Sequence, residues 1–302
     1  MKINKRKARR RMSTSDRIFY SVTSVVIFFL TLIVLYPIIY IVSASFSSGA
    51  AVAEGAVWLW PVDFSLEAYK AVLDYSDIWI GYRNTIFYVI VGTLLNVSME
   101  MICAYPLARK NLWGRNTISF FLSFTMLFGG GMIPGYLLVK GLGMLNTPWA
   151  LIVPGAMSVY NVIVARSFIQ SNVPDELLEA SQIDGCSDFQ FFFQVLLPLS
   201  KAILAVLTLW HAVGHWNSYF SAFLYITDEK LYPLQIFLKE ILVQSDMNTE
   251  VVADIKETLQ MQNMKNLLKY AVIVVSTVPL FAFYPIVQKH FVKGVTIGSV
   301  KG

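Results

Sequence analysis

Glu100, His211 and His215 are the side chains of this 302-residue chain best placed by type to do chemistry, and each lies in a stretch with almost no other charge. His211 and His215 are four residues apart, so on a helix they share a face, a spacing that can hold a metal. No glutamate follows His211 as in H-E-x-x-H. No third ligand is visible either, and zinc takes roughly three or four protein ligands. The pair therefore reads first as a polar stripe or as packing, and no metal site is assigned. A membrane enzyme built on Glu100, His211 and His215 would require all three to converge, and the sequence offers no nucleophile–base pair or complete metal set. Cys103 and Cys186 are isolated, make no zinc pattern, and form no disulfide on a reducing face. No G-x-x-x-x-G-K-[ST] occurs, and the glycine-rich run Gly129–Gly135 lacks the Lys-Ser/Thr pair, so ATP is not expected to bind through a P-loop.

The elements that must carry these residues follow from where charge is missing. Ile18–Ala53, Asn116–Val139, Gly141–Ala165, Ala202–Thr227 and Tyr270–Gln288 hold no charged residue, and Asn84–Ala108 holds only Glu100. Each is long enough for a membrane crossing of about 20 helical residues. In lipid every backbone amide must be paired within the segment, so the runs predict an all-α membrane protein with six transmembrane helices. Charged residues make up 14% of the chain, against about 25% in soluble domains. No polar stretch is long enough for a separate soluble core. The expected organisation is a basic N-terminus over 1–17 and one six-helix membrane domain over 18–300.

Lysine and arginine set the orientation. They cluster before the first run (Lys2, Lys5, Arg6, Lys7, Arg9, Arg10, Arg11, Arg17), after the second (Arg109, Lys110, Arg115) and in the tail (Lys289, Lys293, Lys301). The positive-inside rule puts all three in the cytoplasm, so both termini face inward. Acids dominate the opposite side: Glu54, Asp63, Glu67, Asp74 and Asp77 in one loop, and Asp228, Glu229, Glu240, Asp246, Glu250, Asp254 and Glu257 in the last. Beside a first membrane helix the basic run reads as a topology signal and not as a nucleic-acid site. The apolar run from Ile18 exceeds the roughly 7–15 residues of a signal peptide's core, so it reads as retained.

Smaller elements follow. Leu66, Tyr69 and Leu73 give an amphipathic helix along the outer surface. Lys140–Thr147 is a short outer turn, and Gly129–Gly135 either loosens the third helix or permits close packing on a neighbour. The outer loop over 228–265 is polar and helical around Leu234–Leu242. Glu100 is a functional candidate because charge inside a membrane is costly. It could line a translocation path, bond to a partner subunit, or serve structure. Trp216, Asn217, Tyr219 and Phe220, with Trp210, crowd the fifth run. Rings that stack and amides that pair with hydroxyls suit a sugar, while an interfacial aromatic belt needs the same residues. Trp216 and Asn217 are expected just past the middle of the fifth helix.

The loop over 171–200 has a readable local grammar. Pro174 suits a first helical turn, and Asp175 and Glu176 follow where the helix dipole favours acids. Gly185 fits the position past a helix end, Ser187 and Gln190 form a capping box for a second helix, and Pro198 marks its junction with the fifth membrane helix. Helix, glycine turn and helix at the membrane face suit docking into a cleft on a soluble partner.

Glu179-Ala180-Ser181, then Asp184-Gly185, then Leu197-Pro198, resembles the EAA loop of ABC importer permeases, with Ser181 in place of an alanine and Ala202 where a proline often follows. Asn146-Thr147, Trp216-Asn217, Tyr232-Pro233-Leu234 and the tail Lys289–Gly294 are similar to the carbohydrate, maltose-type branch, closest to members that handle complex oligosaccharides. The resemblance implies a type I ABC importer permease fold in a bacterial cytoplasmic membrane, with no enzymatic activity and no cofactor in this chain. It implies ATP and magnesium on a partner ATPase present in two copies, a second permease, an extracytoplasmic binding protein and an oligosaccharide. Glu179 through Gly185 would form the coupling helix. The EAA loop alone would also allow an ABC importer for another solute.

Overall fold

A computed structural model describes residues 13–246 and 255–298, with side chains described for 13–243 and 263–285. The basic residues Lys2 to Arg11, the acids Glu250 and Asp254 and the terminal Lys301 lie outside the described residues, as do the side chains of Asp246, Glu257 and the tail 289–294. All regular structure among the described residues is helical.

Two units are distinguished. The first contains α1 (Thr14–Ser45), α2 (Gly49–Ala53) and the initial part of a long final helix. α1 is apolar on all sides and almost wholly exposed, as expected of a helix whose solvent is lipid; Pro37 is accommodated inside it. Its C-terminal end is the part that packs: Ala44, Ala51 and Val57 form a small buried cluster edged by Tyr40 and Tyr270, whose rings meet edge-on at 5.7 Å. The helix α3 (Glu67–Asp74) forms where expected; Ala68 and Val72 are buried, Tyr69 is half-buried, and Leu66 and Leu73 are exposed.

The second unit is organised around α4 (Ser76–Ala108). After it come α5 (Arg115–Leu127), α6 (Met132–Gly141), α7 (Trp149–Ile152) and α8 (Val159–Asn172). The cytoplasmic-loop candidates are α9 (Asp175–Ile183), α10 (Asp188–Phe191), a π-helical turn at Phe192–Leu196 and α11 (Leu197–Leu199). Then follow α12 (Lys201–Trp216), α13 (Tyr219–Tyr225), α14 (Leu234–Asp246) and α15 (Ile255–Gly298), of which the part from Val275 belongs here. α4 packs against α8 and α12 through Met101, Ala104 and Leu107, which meet Val162, Ala165, Ile169, Ile203 and Leu207. Small residues at these positions let the helices approach closely, the main source of helix association in lipid.

The apolar runs do not coincide with helices. α1, α4 and the 263–285 part of α15 are long and apolar enough to cross a membrane, and counting each bent pair as one span gives up to five. The third run is broken: α5 and α6 meet at 112° across Phe128–Gly131. Gly131 has φ 84°, and a Cβ at Gly129 or Gly131 would meet nothing within 4 Å, so the glycines loosen this helix and do not serve close packing. The fourth run is interrupted after α7 at Val153-Pro154-Gly155, and its main helix, α8, continues beyond it through Arg166 to Asn172. The fifth run stops being one helix at Trp216, and Asn217 caps it. The expectation that Trp216 and Asn217 lie near the middle of that helix is therefore corrected: they mark its end. Absence of charge locates apolar sequence, but Gly, Pro and Asn decide where the helix breaks.

A cavity between helices and an exposed loop helix

α4 brings its polar residues to one place. Asn96 and Glu100, one turn apart, face His215 and His211 on α12, which runs antiparallel to α4 at this point. His215 Nε2 lies 2.7 Å from Asn96 Oδ1, and Asn96 Nδ2 donates to Gly155 O at 2.5 Å. Since the Asn96 amide nitrogen is committed to Gly155, its oxygen faces the histidine, and His215 is assigned as the Nε2–H donor. The ring lies flat against Gly92: a Cβ there would come within 2.4 Å of Nε2.

The second rung is tighter. Glu100 is fully buried. Its Oε1 accepts from Ser158 N–H at 3.1 Å and from Asn161 Nδ2 at 3.0 Å, and lies 2.9 Å from His211 Nε2. Asn161 Nδ2 is also 3.0 Å from His211 Nε2, and Glu100 Oε2 has no hydrogen-bond partner. All of these contacts lie within the chain's own fold, and Glu100 is fully buried in it.

A cavity of about 340 Å³ opens beside these rungs, lined by Asn96, Gly155, His211, His215, Asn217, Ser218, Phe220 and Ser221. His211, His215, Asn217 and Phe220 are thus brought together. Glu100 sits behind His211 and does not line the cavity. Trp216 is turned away from it: its ring is buried, and Nε1–H donates to Ser276 O at 3.0 Å. Tyr219 lies in a different hollow of about 510 Å³, stacked on Phe223 at 5.9 Å, with Lys239 Nζ over its ring at 4.1 Å and also bonded to its hydroxyl. His215 pairs with Asn96 while His211 pairs with Glu100, so both histidines stand in the cavity wall but only His211 touches the carboxylate. No cluster of three metal-ligating side chains occurs among the described residues. Sequence reasoning missed Asn96, Ser158, Asn161 and Gly92. Asn96 and Asn161 carried a signal, being amides inside apolar runs, where an unpaired amide is costly.

At the other end of α4 and α8 lies the loop helix α9. Pro174 occupies its N-cap, one position earlier than expected, and Asp175 and Glu176 fill its first turn. Gly185 follows with φ 79°, where a side chain would be strained. Ser187 accepts from Gln190 N–H, and Gln190 returns the bond to Ser187 N–H at 2.8 Å, completing the capping box of α10. Glu179, Ala180, Asp184, Gly185 and Pro198 are exposed, whereas Ser181 and Leu197 are half-buried. Ile183 and Phe189 are 87% and 80% exposed, and these apolar side chains flank the glycine turn. Asp175 pins the start of α9 to the end of α4 through Lys110 Nζ at 2.9 Å and Arg109 Nη1 at 3.5 Å. The hydrogen bond from Lys110 holds the Asp175 carboxyl below the usual carboxylate range, and the same bond raises Lys110. Arg109 lies over the rings of Tyr105 and Phe191, at 4.8 and 5.1 Å, so α10 is gathered onto the same end of α4. Past α11 the chain turns by 81° into α12. Pro198 stands in that junction as expected.

Among the described residues, apolar helices, a polar seam beside a cavity and a projecting loop helix are features a membrane transport subunit needs. Residues 100–297 match the family described as binding-protein-dependent transport system inner membrane component. The chain belongs to that family, and it is a permease subunit of an ABC importer and not an enzyme. Protein LplC of Bacillus subtilis (strain 168) is 42% identical over 273 residues, covering 89% of this chain and 90% of its own. The polygalacturonan/rhamnogalacturonan transport system permease protein YtcP of the same organism is 39% identical, covering 90% and 94%. The crystal structure of a bacterial ABC transporter involved in the import of the acidic polysaccharide alginate contains a chain that superposes with a TM-score of 0.82 at 38% identity, covering 93% of this chain and 99% of that one. The strand-free architecture and the type I importer permease fold expected from the sequence both agree with this.

Proposed function

We propose that this chain translocates an oligosaccharide through a bacterial cytoplasmic membrane, paired with a second permease, driven by two copies of a cytoplasmic ATPase and supplied by an extracytoplasmic binding protein. Six crossings with both termini inside place α9 in the cytoplasm, on the ATPase side. The observation that carries this reading is the exposed α9 helix, closed by the left-handed Gly185 and flanked by bare Ile183 and Phe189. A short rigid helix with an apolar tip is suited to seat in a cleft of a motor and be pushed by it. Glu179, Ala180, Ser181, Asp184 and Gly185 form the seat, and Leu197 and Pro198 the joint that passes motion into α12.

The substrate reading is supported by the chemistry of the cavity. Asn96, Asn217, Ser218, Ser221 and two imidazoles offer hydroxyl-directed hydrogen bonds, and the exposed Phe220 offers a ring face. Tyr219 with Phe223 forms a second aromatic patch. Trp216, whose indole is buried, contributes packing. The relatives named for polygalacturonan, rhamnogalacturonan and alginate point the same way. The test is ATP hydrolysis by the purified complex in nanodiscs, with the binding protein encoded beside the permease genes. Trigalacturonate and raffinose, one acidic and one neutral, serve as probes beside an amino acid mixture. Stimulation by either saccharide supports the reading and settles the charge of the substrate. Stimulation by the amino acids alone overturns the sugar assignment.

A further inference from the structure

The two oxygens of Glu100 are used unequally. Oε1 gathers Ser158 N–H, Asn161 Nδ2 and His211 Nε2 within 3.1 Å, while Oε2 is buried with no partner. Burying a carboxyl inside a membrane helix is costly, and packing alone would be served better by leucine or methionine. Glu100 Oε1 lies 3.0 Å from Asn161 Nδ2 and 2.9 Å from His211 Nε2, and the two nitrogens lie 3.0 Å apart, a triangle in which Oε1 is the atom both share, because a ring nitrogen that donates to Oε1 cannot also accept from Asn161.

The triangle joins three helices with different duties. α12 contributes His211, a wall of the cavity. α8 contributes Asn161 in its first turn and Ser158 at its N-cap, where the serine side chain makes no capping bond of its own. Glu100 thus satisfies the N-cap backbone donor of α8 from another helix, the job the N3 side chain of a capping box normally does. α8 then runs to Asn172, and three residues later α9 begins.

We propose that Glu100 is a positioning residue that couples the cavity to the α9 loop. Through one oxygen it holds both His211 in the cavity wall and the first turn of the helix that leads to the ATPase. This rests on the reading that the cavity takes sugar and that α9 docks the motor. A sugar hydroxyl drawn to the His211 ring competes with the Glu100–Asn161 pair, so filling the cavity changes the tether on α8.

The experiment measures ATP hydrolysis by the whole complex in nanodiscs, with binding protein loaded with trigalacturonate or raffinose. Glu100→Met keeps length and removes both acceptors; Glu100→Gln keeps one; His211→Phe keeps the ring and removes Nε2. The ratio of stimulated to basal hydrolysis falls about tenfold in Glu100→Met and in His211→Phe, a usual size for coupling between sites. Glu100→Gln recovers to within about threefold of wild type, since one oxygen can still serve the triangle. KM for the loaded binding protein stays within about twofold in Glu100→Met, and the double variant is no worse than the poorer single, because both break one network. Normal stimulation in an assembled Glu100→Met or His211→Phe complex overturns the proposal, as does a double variant whose loss is the product of the singles. If Glu100→Met fails to assemble, His211→Phe decides alone. Gly185→Asp is assayed beside them. Stimulation that survives Gly185→Asp sinks the docking reading; loss there with normal Glu100→Met and His211→Phe sinks only the role of Glu100.

Discussion

His215 is fixed by three neighbours at once: Asn96 accepts its proton, Gly155 commits the Asn96 amide, and Gly92 leaves room for the ring. Gly92→Ala therefore acts on the ring. The added methyl would meet His215 Nε2 at 2.4 Å and Cε1 at 2.5 Å, and a side chain can swing away. Gly81→Ala acts on the fold, because its methyl would meet the Leu234 backbone at 2.9 Å, which cannot. The expected results are a Gly92→Ala complex with near-native thermal stability and impaired sugar uptake, and a Gly81→Ala chain destabilised by about 1–3 kcal/mol; thermal unfolding and uptake assays read the two. The Asp175 pin carries its own pH signature. Its carboxyl is depressed in the folded chain, so its stabilisation is present above the ordinary carboxylate pKa, about 3.9, and is lost as pH falls through the lower, folded value. Lys110 is raised, so on the basic side the pair persists until pH passes that raised value. Amide exchange in α9, corrected for intrinsic rates, should be flat around neutral pH and quicken only once pH falls below the ordinary carboxylate pKa, about 3.9, a step that Asp175→Asn should lack. At this scale the sequence disclosed which residues were unusual but not whom they meet. Glu100 and His211 are 111 positions apart, and only helix packing makes them partners.

Local grammar made the α9–α10 element legible, because its signals act within a few residues. Gly185 at positive φ, the Ser187–Gln190 box and the acidic first turn all formed as read. Ser187→Ala should remove a cap worth about 1 kcal/mol. Hydrogen exchange should then show α10 amides fraying while α8 stays protected; unchanged exchange in α10 would mean the cap is idle. The membrane helices were less legible because two signals compete in them. Apolarity marked the runs, but Gly129–Gly131, Pro154-Gly155 and Asn217 broke three of them. Such breaks survive in a membrane where neighbouring protein satisfies the freed backbone, as Asn96 does for Gly155 O. The N-terminal end of α4 shows the same device: Asn84 donates to Lys230 O and Tyr232 O, and Leu234 N–H donates to Thr85 Oγ1. Tyr232-Pro233-Leu234, noticed first as a resemblance, is thus a segment held to that end of α4.

At the scale of the second unit, α4 is the common support. Its N-terminal end holds the loop before α14, the histidine rungs follow along it, and its C-terminal end pins α9 through Arg109 and Lys110. Absence of charge marked a helical membrane protein, since the membrane allows few alternatives to helices; the class of transporter was legible only in the local pattern from Glu179 to Pro198. The substrate was not legible in that way: in the proposed reading the cavity of this chain is one wall of a path whose other wall belongs to a partner. The account stands on a loop helix that transmits work from a motor to a bundle with no chemistry of its own. Its most direct test is ATP-dependent uptake of labelled trigalacturonate and raffinose into proteoliposomes holding the full complex and its binding protein, comparing wild type with Gly185→Asp. The account predicts that uptake of the transported sugar falls to background in the Gly185→Asp complex while that complex remains assembled; uptake at the wild-type rate in Gly185→Asp would contradict it.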